Sequence, residues 1–218
     1  MKLVFALLLV CTLGIGAIYA QTDGFTVVTT ESGRRNSVAS HPRALPDAAL
    51  SFASGRQGRL LHILQSDGRV TIVDFIYTRC MSLCLAMGSE FQQLQAAIVA
   101  QHLEHRIRLL SISFDPTDKP EELARYARSQ RADPRVWQFA MAVDAPERRK
   151  LLAGFGIVVI PAPLGQYVHN GAYHIVTADG HLARIIDVSD PQSVLGFART
   201  QVLIDKREKT AAMAAVQP

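Results

Sequence analysis

Cysteine is scarce in this chain: three residues in 218, at positions 11, 80 and 84. That excludes a disulfide-dense secreted scaffold, and the lack of a second cysteine pair argues against a four-ligand structural zinc centre. Long runs of one charge are also missing. Lysine and arginine total 23 against 19 acidic residues, and the excess is scattered; its densest cluster is the short "ERRK" at 147–150. A nucleic-acid partner is therefore not expected. No repeat period and no low-complexity tract is present. Only one long apolar run exists, and it lies at the very start.

That run reads as an export leader. "MK" supplies the positive start, "LVFALLLVCTLGIGAI" the apolar core, and "AIYA" a small-residue cleavage pattern before Gln21. An uncleaved anchor is the rival reading, since Leu3 to Ala20 is almost long enough to span a bilayer. A lipoprotein signal fits less well, because Val10 stands before Cys11 where a small residue is wanted. Either way the folded part is expected outside the cytoplasm, in the periplasm or on the outer face of the inner membrane. Cleavage would remove Cys11 and Lys2, leaving Cys80 and Cys84 as the only thiols.

The expected organisation is a leader at 1–20, a flexible lead-in at 21–46 with a short strand at 25–30, a folded domain at 47–205, and a frayed tail at 206–218. Apolar runs at "RLLHIL" (59–64) and "RVTIVDFIY" (69–77) read as strands. The second is nearly continuous in apolar residues and suits a central strand. Met87, Phe91, Leu94 and Ile98 recur at helical spacing, and Cys84 and Cys80 extend that stripe backward. "RIRLLSISF" (106–114) is a buried strand, and "DKPEELARYARSQ" (118–130) a helix with Asp118 and Glu121 as its capping pair. "VWQFAMAV" (136–143) is a strand, "DAPE" (144–147) opens another helix, and "AYHIVTADGHLARIIDV" (172–188) forms a hairpin turning at Asp179-Gly180. A last helix starts at Asp190-Pro191 and runs to about Leu203. Alternating strands and helices followed by a hairpin predict an α/β domain with a mixed sheet flanked by helices. The dithiol sits where the central strand hands over to a helix, as in thioredoxin-like folds.

A disulfide between Cys80 and Cys84 would close a very short loop and constrain the unfolded chain little, so chemistry explains the pair better than stapling. At a helix start the unpaired N–H groups and dipole favour a thiolate, and Arg79 adds a positive neighbour. Thiolates both bind metals and attack disulfides. On a regular helix, positions i and i+4 share a face, so the two sulfurs would converge on one ion or oxidise after a small adjustment. Two thiolates suit Cu(I) but leave a site incomplete, and a histidine would complete it. Of the seven histidines, His102 and His105 lie at the far end of the cysteine-bearing helix, and His174 falls inside a strand pattern. His169 lies in the Gly/Pro-rich stretch "PAPLGQYVHNG", where a loop would let it reach outward. A peroxiredoxin-type thiol is disfavoured, because Tyr77 and Met81 occupy the positions where threonine would precede each cysteine.

These segments resemble the Sco/SenC family of extracytoplasmic copper proteins. The resemblance spans about residues 47–205 and rests on "DFIYTRCMSLC", "SISFDPTDKPEELARYA", "FGI" at 155–157 and "YVHNGAYHIVTADG". It implies a thioredoxin-like fold and copper, Cu(I) or Cu(II), held by Cys80, Cys84 and His169. It also implies delivery to, or assembly of, the dinuclear copper site of cytochrome oxidase, with Asp115 and Pro116 as structural residues. The partners it implies are a copper-accepting oxidase subunit and an upstream thiol reductant. Membrane contact would come only through an uncleaved leader or a membrane-bound client. The family usually has proline after the second cysteine and aspartate before the histidine; here these are Leu85 and Val168. The competing function is a thiol–disulfide oxidoreductase in which Cys80 and Cys84 are the catalytic redox pair and His169 is secondary. Otherwise the chain is a metallochaperone and not an enzyme.

Overall fold

The computed structural model describes residues 2–22, 24, 29–80 and 83–216, and side chains at all of these except 83–85, 208, 209 and 211–216. The chain divides into two compact units, residues 1–41 and 42–218.

The first unit holds two helices. Helix α1 (Lys2–Gln21) is apolar on every side, has no buried residue, and is long and apolar enough to cross a membrane. Helix α2 (Thr30–Ser40) occupies much of the expected flexible lead-in. The Thr29 hydroxyl accepts from the Ser32 N–H at its start, and Glu31 pairs with Arg34 and Arg35 one turn on. Residues 25–28 of the expected strand lie outside the described residues.

The second unit is built on an eight-stranded mixed sheet. Its strands are β1 (Arg43–Ala44), β2 (Ala49–Phe52), β3 (Gln57–Arg59), β4 (Val70–Ile76), β5 (Ile107–Ser113), β6 (Trp137–Ala142), β9 (Ala172–Val176) and β10 (His181–Asp187). A separate two-stranded hairpin, β7 (Val159–Ala162) and β8 (Gln166–His169), interrupts the sequence. The sheet order is β1-β10-β9-β4-β5-β6-β2-β3. Among the described strand pairs, only β4–β5 and β5–β6 are parallel. They are joined by crossover helices α4 (Leu83–Ala100) and α5 (Pro120–Ser129). All seven residues of β4 and of β5 are buried, as two-face burial requires. On one face, Phe91 of α4 packs against Trp137 and Tyr173. On the other, Phe155 of helix α6 (Ala145–Phe155) meets Phe75 and His174 edge-on. The sheet thus has helices on both faces, as the sequence pattern predicts.

Three expectations change. "RLLHIL" forms helix α3 (Leu60–Gln65), not a strand: Leu60, Ile63 and Leu64 are buried while His62 faces out, a helical period that the apolar run concealed. The Ile63 carbonyl accepts from the buried Arg108 guanidinium, which also donates to Thr71 and Asp67. Second, the terminal helix α7 (Pro191–Val216) runs well past Leu203, through an alanine- and lysine-rich stretch of high helix propensity. Third, Asp118 does not cap α5. Lys119 is the N-cap residue, and its N–H donates to Glu122. Asp118 is buried and accepts from the Thr78 N–H (3.0 Å), the Thr78 hydroxyl (2.6 Å) and the Ser113 hydroxyl (2.5 Å). One carboxylate therefore pins the turn after β4 to the end of β5.

A second buried acidic group, Asp74, lies on β4 itself. Burial pushes the Asp74 carboxyl up to about 7, against the pull of the Ser111 hydroxyl and its own backbone N–H. One of its oxygens has no hydrogen-bond partner among the described residues. The folded protein thus holds a proton that the unfolded chain releases near pH 4. Stability contributed by this proton is complete below that pH, falls as the pH rises to about 7, and then levels. Urea unfolding between pH 4.5 and 7.5 should show a negative slope from this group, and Asp74→Asn should abolish that component relative to the parent. Asp118→Ala should lower unfolding free energy by about 2–4 kcal/mol, because it strands the buried Ser113 hydroxyl and the Thr78 N–H. Chemical denaturation of the variant measures it.

Candidate metal centre

Parallel pairing sets Ile76 of β4 against Ser113 of β5, and the Phe114 N–H continues the ladder to the Ile76 carbonyl at 3.0 Å. Two loops therefore leave the sheet side by side. One carries Tyr77, Thr78, Arg79 and Cys80; the other carries Phe114, Asp115 and Asp118.

Cys80 lies on a turn and not on the helix. Its N–H donates to the Tyr77 carbonyl at 3.2 Å, and the described part of α4 starts at Leu83. The turn's backbone is committed to Asp118 and Tyr77, so helical geometry does not reach back to Cys80. Cys84 is the second residue of α4, and its side chain lies outside the described ones. The regular i, i+4 relation expected for the two thiols therefore does not apply. Cys80 itself is only 6% exposed.

Arg79 also differs from expectation. Its guanidinium donates to the fully buried Asp115 carboxylate at 2.8 Å and to Thr117 at 3.0 Å. That carboxylate compensates the positive charge expected to act on Cys80. Burial raises the Asp115 pKa, but Arg79 and the Thr117 N–H and hydroxyl together hold it below the usual carboxylate range. Asp115 is thus structural, as expected, and Asp118 is structural in a way its place before a helix concealed.

His169 ends strand β8 of the hairpin, where a loop was expected. The hairpin pairs Val159 with His169, Ile160 with Val168 and Pro161 with Tyr167. The His169 ring lies 4.9 Å from the Phe114 ring, centroid to centroid. Tyr77 ties the hairpin down: its hydroxyl donates to Gln166 at 2.9 Å and accepts from the Tyr167 N–H. Tyr77, Phe114 and Tyr167 pack ring against ring. Both ring nitrogens of His169 are buried, and among the described residues neither has a hydrogen-bond partner. Burial pushes the imidazole pKa down, while the nearby Cys80 charge works the other way. The fold thus brings Cys80 and His169 into electrostatic contact. An orphaned imidazole beside a thiol is a donor pair that suits a soft or borderline metal ion.

The remaining histidines are elsewhere. His174 is buried in β9, with one ring nitrogen 3.3 Å from the Val73 carbonyl. His102 and His105 follow α4 at the opposite end of the sheet, where His105 lines a surface cavity of about 620 Å³ with Asp67, Arg69 and Glu104. Sequence reasoning missed Tyr77 and Tyr167 as the clamp on the hairpin. Their aromatic identity, one flanking each motif, was the available signal.

The family model for SCO1/SenC matches residues 52–200. The SCO1 protein homolog of Bacillus subtilis (strain 168) is 25% identical over 132 residues, covering 59% of this chain and 67% of its own. Among solved structures, BsSco, described as a member of the Sco family of cytochrome c oxidase assembly proteins with a disulfide switch, superposes with a TM-score of 0.64. It is 22% identical and covers 75% of this chain and 95% of its own. Bradyrhizobium japonicum ScoI, solved with copper bound, gives a TM-score of 0.58 at 19% identity, covering 72% and 99%. With a thioredoxin-like mixed sheet, a strand-to-helix dithiol segment and a family match over most of its length, this chain belongs to the SCO1/SenC family.

Proposed function

We propose that this protein is an extracytoplasmic copper metallochaperone that holds copper through Cys80, Cys84 and His169. It passes the ion to the copper-accepting subunit of cytochrome oxidase, where it helps assemble the dinuclear copper site. The observation that carries the reading is His169: a half-buried imidazole whose two ring nitrogens are buried and have no hydrogen-bond partner among the described residues, within reach of the Cys80 charge. Unsatisfied buried polar atoms are costly, and a metal ion relieves that cost. The lowered pKa keeps the ring neutral at neutral pH, the state that binds metal. The copper-bound relative supports the choice of ion.

In this reading the two thiolates hold Cu(I), and His169 completes the site and helps to hold Cu(II). Transfer proceeds by exchange of these ligands for the acceptor's. The dithiol must be reduced before loading, which calls for an upstream thiol reductant in a compartment that favours disulfides. The apolar helix α1 serves as an export leader or as an anchor to the outer face of the inner membrane. The folded domain spans 47–205, after the lead-in at 21–46 and before the tail at 206–218. A dithiol reductase acting on client disulfides is less well supported, because burial of Cys80 gives a bulky disulfide little access.

Anaerobic titration of the reduced protein with Cu(I) and Cu(II) tests the proposal. One-to-one binding is expected. His169→Ala should weaken Cu(II) by more than the roughly 10–100-fold that loss of an outer-shell partner costs, while thiol–disulfide exchange stays near the parent rate. Copper binding by His169→Ala equal to the parent's would rule out the three-ligand site. Tyr77→Phe removes the hydroxyl that clamps the hairpin and leaves every proposed ligand in place. It should weaken Cu(II) binding roughly tenfold, with dithiol reactivity unchanged.

A further inference from the structure

At the end of the sheet opposite Cys80, three loops enter the parallel strands: α3 to β4, α4 to β5 and α5 to β6. They enclose a cavity of about 620 Å³ whose lining includes Asp67, Arg69, Val99, Glu104, Arg135 and Val136. A recess of that size accommodates a small molecule. One side chain holds the three loops together. Arg69 donates to the Asp67 carboxylate (2.8 Å) and to the carbonyls of Glu104 (3.2 Å) and Arg135 (3.0 Å), one partner on each loop. Gln95 of α4 braces the third loop, accepting from the Asp133 N–H at 2.7 Å and donating to the Arg131 carbonyl at 3.1 Å. Two of the loops leave their helices through left-handed backbone, at His102 (φ +54°) after α4 and at Arg131 (φ +53°) after α5. Residues with a Cβ rarely adopt that conformation, and such positions gather at binding sites. Among the described non-glycine residues, only Leu164 shares it.

The charged groups of this cavity are matched except for one. Asp67 takes Arg69, and also the buried Arg108, whose other donors go to Thr71 and the Ile63 carbonyl. Arg135 is paired with Asp133 at 2.7 Å. Glu104 differs. Its Oε2 is buried with no hydrogen-bond partner among the described residues, and no cation there lies at ion-pair distance from its carboxylate. A carboxylate drawn out of water without a counter-ion costs free energy, and an arriving cation relieves that cost. Two aliphatic side chains share the lining: Val99 of α4, 42% exposed, and the buried Val136. An anion fits poorly. It would meet Glu104, while all three nitrogens of Arg69 and two of Arg135 are already committed. A metal ion fits poorly as well, because among the described residues no three His, Cys, Asp or Glu side chains converge to hold one.

We propose that this cavity binds a small organic cation, a free primary ammonium or guanidinium on a short aliphatic stem. The Glu104 carboxylate receives the charged head, and Val99 and Val136 receive the stem. The head donates to Glu104 the hydrogen bonds that Arg69 and Arg135 spend elsewhere. A recess between three braced loops suits a free molecule better than a broad protein surface. The cavity lies at the far end of the sheet from Cys80 and His169, so the proposal does not rest on the copper reading.

The test uses the full, metal-free chain in nanodiscs of zwitterionic lipid and ligand-detected NMR titration. The probes are n-butylammonium and n-butylguanidinium. Both should saturate a single site, and each methylene added from methyl- to butylammonium should tighten binding about two- to fourfold. Glu104→Gln should weaken both cations roughly tenfold or more while unfolding near the parent temperature. Val99→Trp, at an exposed position of α4, should fill the cavity and block both probes. Butyrate and n-butanol should bind roughly tenfold more weakly than n-butylammonium, or worse. No saturation by about 10 mM of either cation would overturn the proposal. So would parent-like affinity in Glu104→Gln or in Val99→Trp, which would put the binding elsewhere. Butyrate or n-butanol binding as tightly as the cations would overturn it in favour of an anionic or neutral ligand. Tighter binding of Nα-acetyl-lysine methylamide than of n-pentylammonium would overturn the free-ligand assignment in favour of a partner's lysine side chain.

Discussion

The candidate site depends on the parallel register of β4 and β5. Because Ile76 lies opposite Ser113, the chain leaves both strands at the same height, and each loop can hold the other. Asp118 uses that proximity to take the N–H and hydroxyl of Thr78 together with the hydroxyl of Ser113. Asp115 takes the guanidinium of Arg79. Two consecutive residues before Cys80 are thus tied to one neighbouring loop by buried carboxylates. A slip of one residue in the β4–β5 pairing would leave both carboxylates buried without their partners, a far larger cost than any lost apolar contact there.

The same adjacency builds the other half of the site. Tyr77 and Phe114 are the first residues past the two strands, and together they form the platform on which the hairpin rests. The platform is apolar except for the Tyr77 hydroxyl, which makes its hydrogen bonds to the hairpin. It therefore desolvates His169 and, among the described residues, offers the ring nitrogens no partner. His174, by contrast, has one ring nitrogen 3.3 Å from the Val73 carbonyl. The proposed role of His169 as a ligand rests on this contrast between two histidines five residues apart.

What was legible in the sequence follows the strength of local periodicity. The continuous apolar runs of β4 and β5, the Met87–Ile98 stripe of α4 and the Asp179-Gly180 turn each carry their structure in their own residues. Gly180 at φ +94° is the plainest instance, since the turn requires that conformation. Misreadings came where a short segment satisfied two patterns. "RLLHIL" suits a strand or a helical turn, and burial of Leu60, Ile63 and Leu64 decided it. Asp118 before Lys-Pro-Glu-Glu has every mark of a cap, but the partners that claim it are 5 and 40 residues away. Proline and glycine around His169 read as a loop. Yet Pro161 is tolerated because the two-stranded hairpin is all edge, and Gly165 serves its tight turn at φ +67°. The three candidate ligands were found from residue type and motif. Their surroundings were not, because these depend on contacts far apart in the chain.

A hairpin reconciles two demands that one loop would not. In the proposed function, a ligand held close to a thiol needs a desolvated, rigid seat, while transfer to another protein needs an exposed surface. In a strand these demands fall on alternate residues. His169 faces inward to Phe114, and Val168 faces outward beside Ile160. The aspartate that usually stands before the histidine in the resembling family would occupy this outward position. Its replacement by valine therefore alters the external face more than the ring's own environment, which Phe114 and burial set. In this chain Val168 stands outward across from Ile160, where a charge would otherwise stand.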